Sequence, residues 1–430
     1  MKKTAHWKKR LAFVLSGGFL VLHTAVVMAA PVELSLNESI VMALQNNPTI
    51  KMADADRKSA EWGIGVAKDY GNPTLSVTHA DGRKYLGSGS AISNSSSNTI
   101  TLNLPLYTGG KAEAEIEKAK ITLKSADLGV EKAKQQIQLD ATTSYFTILQ
   151  TINALKVSEE SVDMTLAHLK NVQAQYGVGV VAKSDVLRSE VELANYEQKK
   201  IIAQNNYALA VSKFNNVVGL PLATEIKVNE ELQHEKYELS LEDSIKYSMA
   251  NRPEALQADY AIEVAKESVS SAQSGNLPTV GVEATTGWSD TKFPGSENNT
   301  WSVGVAASWN AFDSGVTNAR IKVADATVTK AMEQAKQTKD SIQLEVRQAY
   351  LNMQEAEKRI STTQVAVAKA EEDFKISGVR YSAGVGTNID VIDAQVALTQ
   401  AKNNYIQAMY DYNTSKANLV KAMGMPISSK

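Results

Sequence analysis

The sequence repeats itself once, at a fixed offset of 205 residues and without a gap. Leu34-Ser35-Leu36 falls on Leu239-Ser240-Leu241, Asn46 and Pro48 on Asn251 and Pro253, and Pro73 on Pro278. Gly110 falls on Gly315 and Tyr145 on Tyr350. Tyr176, Gly179-Val180 and Asp185-Val186 fall on Tyr381, Gly384-Val385 and Asp390-Val391, and Gly219 and Pro221 on Gly424 and Pro426. Matches at Gly, Pro, Asn and Asp mean that both halves turn at the same places. We therefore read two copies of one supersecondary unit, residues 30–221 and 239–430. A charged stretch, 222–238, joins them.

Ahead of the first copy, Lys2, Lys3, Lys8, Lys9 and Arg10 precede a short apolar run from Leu11 to Leu22. Val27-Met28-Ala29 then offers a small-residue cleavage site, so residues 1–29 read as a signal peptide. The run is shorter than the ~20 residues a spanning helix needs. Its removal takes the net charge from −2 to about −7, a poor balance for gripping phosphates, so no nucleic-acid partner is expected. The chain has no cysteine, which excludes disulfides, thiolate metal sites and a lipid-bearing cysteine. Beyond the signal no apolar run reaches spanning length, so any crossing of a membrane falls to alternating strands.

Within one unit, residues 38–68 are Ala-rich and predict a helix capped by Ser35 or Asn37, ending at Gly71-Asn72-Pro73. Two strands should follow. In residues 99–107, Ile100, Leu102, Leu104 and Leu106 share one face, with Thr99, Thr101, Asn103 and Pro105 on the other. The second copy places Val303, Val305, Ala307 and Trp309 against Ser302, Gly304, Ala306, Ser308 and Asn310. The partner strands, 74–80 and 279–285, alternate less cleanly, and His79 interrupts the first. The Gly/Ser/Asn-rich stretches 86–98 and 289–300 read as exposed loops. Two strands per unit cannot close a sheet alone. Tyr107 and Phe312 mark one end of them and Tyr85, Trp288 and Trp301 the other, as a lipid-interface girdle requires. Half-buried strands of a soluble sandwich would alternate in the same way.

From Lys111 to about Gln175 there is no proline. Ala112, Ile116, Ala119, Leu123, Ala126, Val130, Ala133 and Ile137 follow a heptad seam, repeated at Thr317, Ile321, Ala324, Val328, Ala331, Ala335, Thr338 and Ile342. Such a helix is roughly 95–100 Å long. A turn at Gly177-Val178-Gly179-Val180 leads to a second helix, 184–218, copied at 388–423.

Together, the strand end Leu104-Pro105-Leu106-Tyr107 before Gly109-Gly110, its copy Trp309-Asn310-Ala311-Phe312 before Gly315, and the tip patterns Tyr176, Gly179, Asp185-Val186 and Tyr381, Gly384, Asp390-Val391 resemble the TolC family of outer-membrane efflux proteins. The resemblance spans the mature chain. It implies a mainly α fold with membrane β: a homotrimer in which each chain gives four strands to a twelve-stranded barrel in the outer-membrane lipid, continued by an α-helical coiled-coil tunnel into the periplasm. It also implies a passive exit duct for small molecules, joined to a periplasmic adaptor and an inner-membrane transporter. A duct for protein secretion has the same shape.

By the same resemblance Asp390, Asp393 and Asp185 line the periplasmic entrance, where three-fold symmetry would make each a ring. Like charges about 6 Å apart repel by roughly 2.8 kcal/mol at an effective dielectric of 20. Acids in a first helical turn are also simply favourable to the helix dipole. Some family members carry an arginine two residues beyond the second tip glycine; this chain has Gly386. The tip turns Val178, Gly179, Val180 and Ala383, Gly384, Val385 correspond to the family's adaptor-docking surface, although a helix–helix turn needs its glycine regardless. Gly177-x-Gly179-x-x-Ala182 follows a helix rather than a strand, so it is no dinucleotide fingerprint. His79, His168 and His234 stand apart and read as incidental. No acid/base constellation, metal cluster or phosphate loop suggests an enzyme or a cofactor, and a coiled-coil surface protein is the other class the helices allow.

Overall fold

The structure is a computed structural model and describes residues 32–425 apart from 86, 88–91, 229 and 294–296. The expected signal peptide and Pro426 lie outside the described residues. The first half runs β1 (Val32–Glu33), α1 (Leu36–Asn46), α2 (Pro48–Ala67), β2 (Thr74–Lys84), β3 (Ser93–Tyr107), α3 (Lys111–Gly177) and α4 (Lys183–Val218). After β4 (Ile226–Lys227) come α5 (Leu241–Asn251), α6 (Pro253–Gln273), β5 (Thr279–Asp290), β6 (Asn298–Ser308), α7 (Val316–Ser382) and α8 (Asn388–Ala422).

The helix expected over 38–68 is two helices. Pro48 disfavours helical backbone at Asn47, which is extended at φ −66° and ψ 128°, and α2 restarts with Pro48 in its first turn. Ser35 caps α1 through a reciprocal box with Glu38, while Asn37 lies inside the helix. The break has a use. Asn47 Nδ2 donates to the Val217 carbonyl at 3.1 Å and Asn46 Nδ2 to that of Val218 at 3.4 Å, so α2 is stacked end-on upon α4. In the second half Arg252 occupies the Asn47 position, and its Nη1 donates to the Ala422 carbonyl at 3.1 Å. Each long helix therefore runs beside a partner made of two shorter ones.

Both long helices have 67 residues, about 100 Å at helical rise. Every residue of the two expected seams is buried or half-buried, with Ala112, Val130 and Ile137 buried in α3 and Thr317, Ala331, Ala335 and Ile342 in α7. The small side chains let neighbouring backbones approach closely. Laterally, α3 is packed between α2 and α6 near the strands, and between α4 and α8 farther away, with α7 beyond them. Two apolar clusters sit about halfway along. Ala141, Ile148, Phe214 and Val218 fill one, and their counterparts 205 residues on, Val346, Met353, Leu419 and Met423, fill the other. Leu232, in the joining stretch, packs against both, and β4 pairs in parallel with β1.

The four longer strands form one antiparallel sheet, β2-β3-β5-β6. Cross-strand register sets Leu75, Leu102, Ala284 and Val303 in one row and Val77, Ile100, Thr286 and Trp301 in the next. One face is thus mainly apolar, interrupted on β5 by Thr286, and the other carries Ser76, Thr101, Thr285 and Ser302. A bulge between Pro105 and Tyr107 sets Tyr107 opposite Val280, so Tyr107, rather than Leu106, continues the apolar face. The strands also reach into the stretches expected to be loops. Ser93–Asn98 pairs with residues 79–84, and Ser289 and Asp290 remain in β5, because ladder hydrogen bonds use main-chain groups that Ser and Asn supply as well as Val.

Candidate functional site at the helical tips

The ends of α3 and α7 remote from the sheet close with the same motif. Val180 N donates to the Gln175 carbonyl and Gly179 N to that of Tyr176, both at 2.9 Å. Val385 N and Gly384 N bond Arg380 and Tyr381 in the same way, at 2.9 and 3.0 Å. This paired closure needs a left-handed residue, and Gly179 and Gly384 both have φ of 76°. The turn leaves Val178, Gly179, Val180, Ala383, Gly384 and Val385 exposed. Val178 is 76% exposed, and Val180 and Val385 67% each, which is unusual for three valines in one region.

The acids divide by environment. Asp390 is the third residue of α8 and forms a capping box with Thr387: Thr387 N donates to its Oδ2 at 2.9 Å, and Asp390 N to Thr387 Oγ1 at 3.3 Å. Those bonds to Thr387, helped by the Arg380 charge, hold its carboxyl below the usual range. Asp393 is exposed one turn later. Asp185 is half-buried in the first turn of α4, and its charge bears on the buried Tyr381 hydroxyl. Asn388 draws the first turns of α4 and α8 together, its Nδ2 lying 3.1 Å from the Asp185 carbonyl oxygen.

Gly386 leaves little room for a side chain. A Cβ there would lie 3.1 Å from Arg380 Cβ and from Tyr381 N. The cation near this turn comes instead from Arg380, whose Nη2 donates to the Val385 carbonyl at 3.3 Å.

His168 is not incidental. Its Nε2 is 2.7 Å from Asn388 Oδ1, and its ring meets Tyr381 edge-on at 5.1 Å. Asn388 is 4% exposed and also bonds Ser189. Four helices therefore meet in one polar cluster, which continues along α3 and α8. Ser161 Oγ is 3.0 Å from Thr399 Oγ1, Gln395 Nε2 donates to Thr165 Oγ1 at 2.6 Å, and Gln150 to Gln407 at 2.6 Å. Ser161, Thr165 and His168 stand at heptad spacing on α3, as do Asn388, Gln395 and Thr399 on α8. That polar stripe was visible in the sequence and would have marked the contact between the two halves.

His79 bonds Asn98 and Asp81 on the sheet, and His234 packs against Tyr412. Among the described residues no cluster of His, Cys, Asp or Glu is placed to hold a metal ion, and no helix is long and apolar enough to cross a membrane.

A sheet with one mainly apolar face, set on helical hairpins about 100 Å long, defines the channel-tunnel class. The profile of the outer membrane efflux protein family matches residues 39–220 and 245–425, and the chain belongs to that family. The outer membrane protein TolC of Escherichia coli is 25% identical over 91% of this chain and 83% of its own length. The alkaline protease secretion protein AprF of Pseudomonas aeruginosa is 22% identical over 96% of this chain and 88% of its own. In structure, the outer membrane protein VceC of Vibrio cholerae superposes with a TM-score of 0.79 at 19% identity, covering 91% of this chain and 97% of that one.

Proposed function

We propose that three copies of this chain form the passive exit duct of a tripartite efflux system. Each copy gives its four strands to a twelve-stranded barrel in the outer membrane and its helices to a tunnel through the periplasm. The observation that carries the reading is the open sheet. β2 and β6 are its edges, neither pairs further among the described residues, and both are exposed along their whole length. Leu75, Val77, Trp301, Val303 and Val305 are 65–78% exposed. Burying five such side chains is worth roughly 7–15 kcal/mol, comparable to the whole net stability of a domain. Lipid on the apolar face and neighbouring strands at both edges recover that energy; water does not. The helices show the same incompleteness, with Met52, Trp62 and Val66 of α2 and Val323, Leu344 and Leu351 of α7 exposed on elements at opposite flanks of the chain.

In this duct the tips of α3/α4 and α7/α8 form the periplasmic entrance. Asp393, Asp390 and Asp185 set its charge, and the apolar turns at Val178–Val180 and Ala383–Val385 dock a periplasmic adaptor. An inner-membrane transporter supplies the energy, and the duct itself has no catalytic residues and no cofactor. The kinship with AprF supports a second reading, in which the cargo is a secreted protein.

Electron microscopy of detergent-extracted protein tests the architecture. A three-fold tapered cylinder longer than ~100 Å is the expected particle. A compact monomer, or a filament without a barrel end, would remove the conduit reading.

A further inference from the structure

The polar cluster beneath the tips contains a titratable group that the conduit reading does not use. Asn388 commits its Nδ2 to the Asp185 carbonyl oxygen and to Ser189 Oγ, so its Oδ1 faces His168 as an acceptor. His168 therefore donates from Nε2 and keeps Nδ1 free of a proton in the neutral ring. This one contact joins α3 of the first half to the first turn of α8 in the second. The same asparagine holds the first turn of α4.

A second proton would enter at Nδ1 and place a cation in this cluster. Among the described residues no carboxylate forms an ion pair with it. On α3 the residues one turn away are Met164, Thr165, Asn171 and Val172, all uncharged. From α7 the cluster receives Tyr381, whose hydroxyl is buried without a hydrogen-bond partner. From α8 it receives neutral Asn388, while the Asp390 carboxylate is bonded to Thr387. From α4 it receives the main-chain oxygen of Asp185, whose carboxylate bears on Tyr381, and neutral Ser189. Burial accordingly holds the imidazole below its ordinary range, opposed only by the bond to Asn388.

We propose that His168 is an acid-sensitive tie. Neutral, it fastens the first-half hairpin to α8 and holds the entrance closed; protonated, it favours water and lets α8 separate from α3 and α4. The proposal rests on reading the tips as the entrance of a conduit. The sign follows from the depressed titration. The tie is intact above the ordinary histidine range, and it weakens as pH falls through that range toward the lower value of the closed form.

The test is conductance of the full-length protein in planar bilayers at fixed salt, between about pH 7.5 and 5. In the native chain the open fraction should rise on acidification, by roughly tenfold for each pH unit that separates the closed and open titrations. His168→Gln keeps an amide that can donate to Asn388 and cannot titrate, so its profile should be flat. His168→Ala removes the tie, so its open fraction should be high already at the upper pH and rise no further. A flat native profile, or a native-like rise in His168→Gln, overturns the tie while leaving the conduit standing. A protein that conducts at no pH overturns the conduit and the tie with it.

Discussion

Asp390 and Asp393 are one turn apart on α8, yet their carboxylates are in different circumstances. Both are exposed, but Asp390 accepts the Thr387 N–H at Oδ2 and feels the Arg380 charge, whereas Asp393 lies outside the cap. If both ring the entrance, Asp393 presents the less compensated charge to a passing ion. Asp393→Asn should therefore lower cation preference more than Asp390→Asn, read as reversal potential across a salt gradient. Asp390→Asn should instead show in stability, by about 1 kcal/mol for a weakened cap. Equal selectivities in both variants and the native protein would mean that neither acid lines the pore. Spacing and resemblance could single out these acids. They could not separate them, because the separation depends on where Thr387 and Arg380 point.

At the scale of elements, two glycines show how local geometry decides the sign of a substitution. Gly219 ends α4 at φ 81°, and a Cβ there would lie 2.7 Å from the Asn46 Cβ, where α2 is stacked above α4. Gly177 is the last helical residue of α3, with nothing within 4 Å of where its Cβ would be. Gly219→Ala should lower the thermal midpoint, through a destabilisation of more than ~1 kcal/mol, and Gly177→Ala should raise it, through a stabilisation of about 0.4–1 kcal/mol. Matching shifts of the same sign in both variants would show that the end-on stacking of α2 on α4 is not under load. The stacking itself was half legible: Asn47-Pro48 is a break signal, but only packing shows that the break lets one asparagine close the end of a helix 170 residues away.

At the scale of the molecule, one chain is an unfinished object. Among the described residues its sheet has two unpaired edges and one mainly apolar face, and its helix layer ends at α2 and α4 on one flank and α7 on the other. The polar ladder between α3 and α8 suggests where such an assembly would yield. Within each half, α3/α4 and α7/α8 meet through apolar clusters, while α3 meets α8 through buried hydrogen bonds and, near the tips, a small apolar cluster of Val172, Tyr381 and Val391. The exposed valines at the tips belong to this scale too. In the proposed duct, Val180→Asp and Val385→Asp should abolish site-specific cross-linking to an adaptor while leaving the proposed trimer intact on size analysis. Cross-linking and export at native levels would mean that the tips are bare turns rather than a docking surface.

By itself the sequence determined the duplication, the two long helices and their heptad seams, the strands' alternation and the glycine at each tip. The duplication is a match of the sequence with itself; the others are written in local periodicity or in a residue's own backbone freedom, and physics acts on them within a few neighbours. Tertiary structure alone decided the break that stacks α2 on α4, the bulge that puts Tyr107 on the apolar face, the reach of Ser93–Asn98 into the sheet, and the meeting of His168 with Asn388. Each of these depends on a partner far along the chain. A main-chain ladder is indifferent to the side chains that periodicity reads, and a lone histidine acquires its environment only when 220 residues of intervening chain have been folded back upon it.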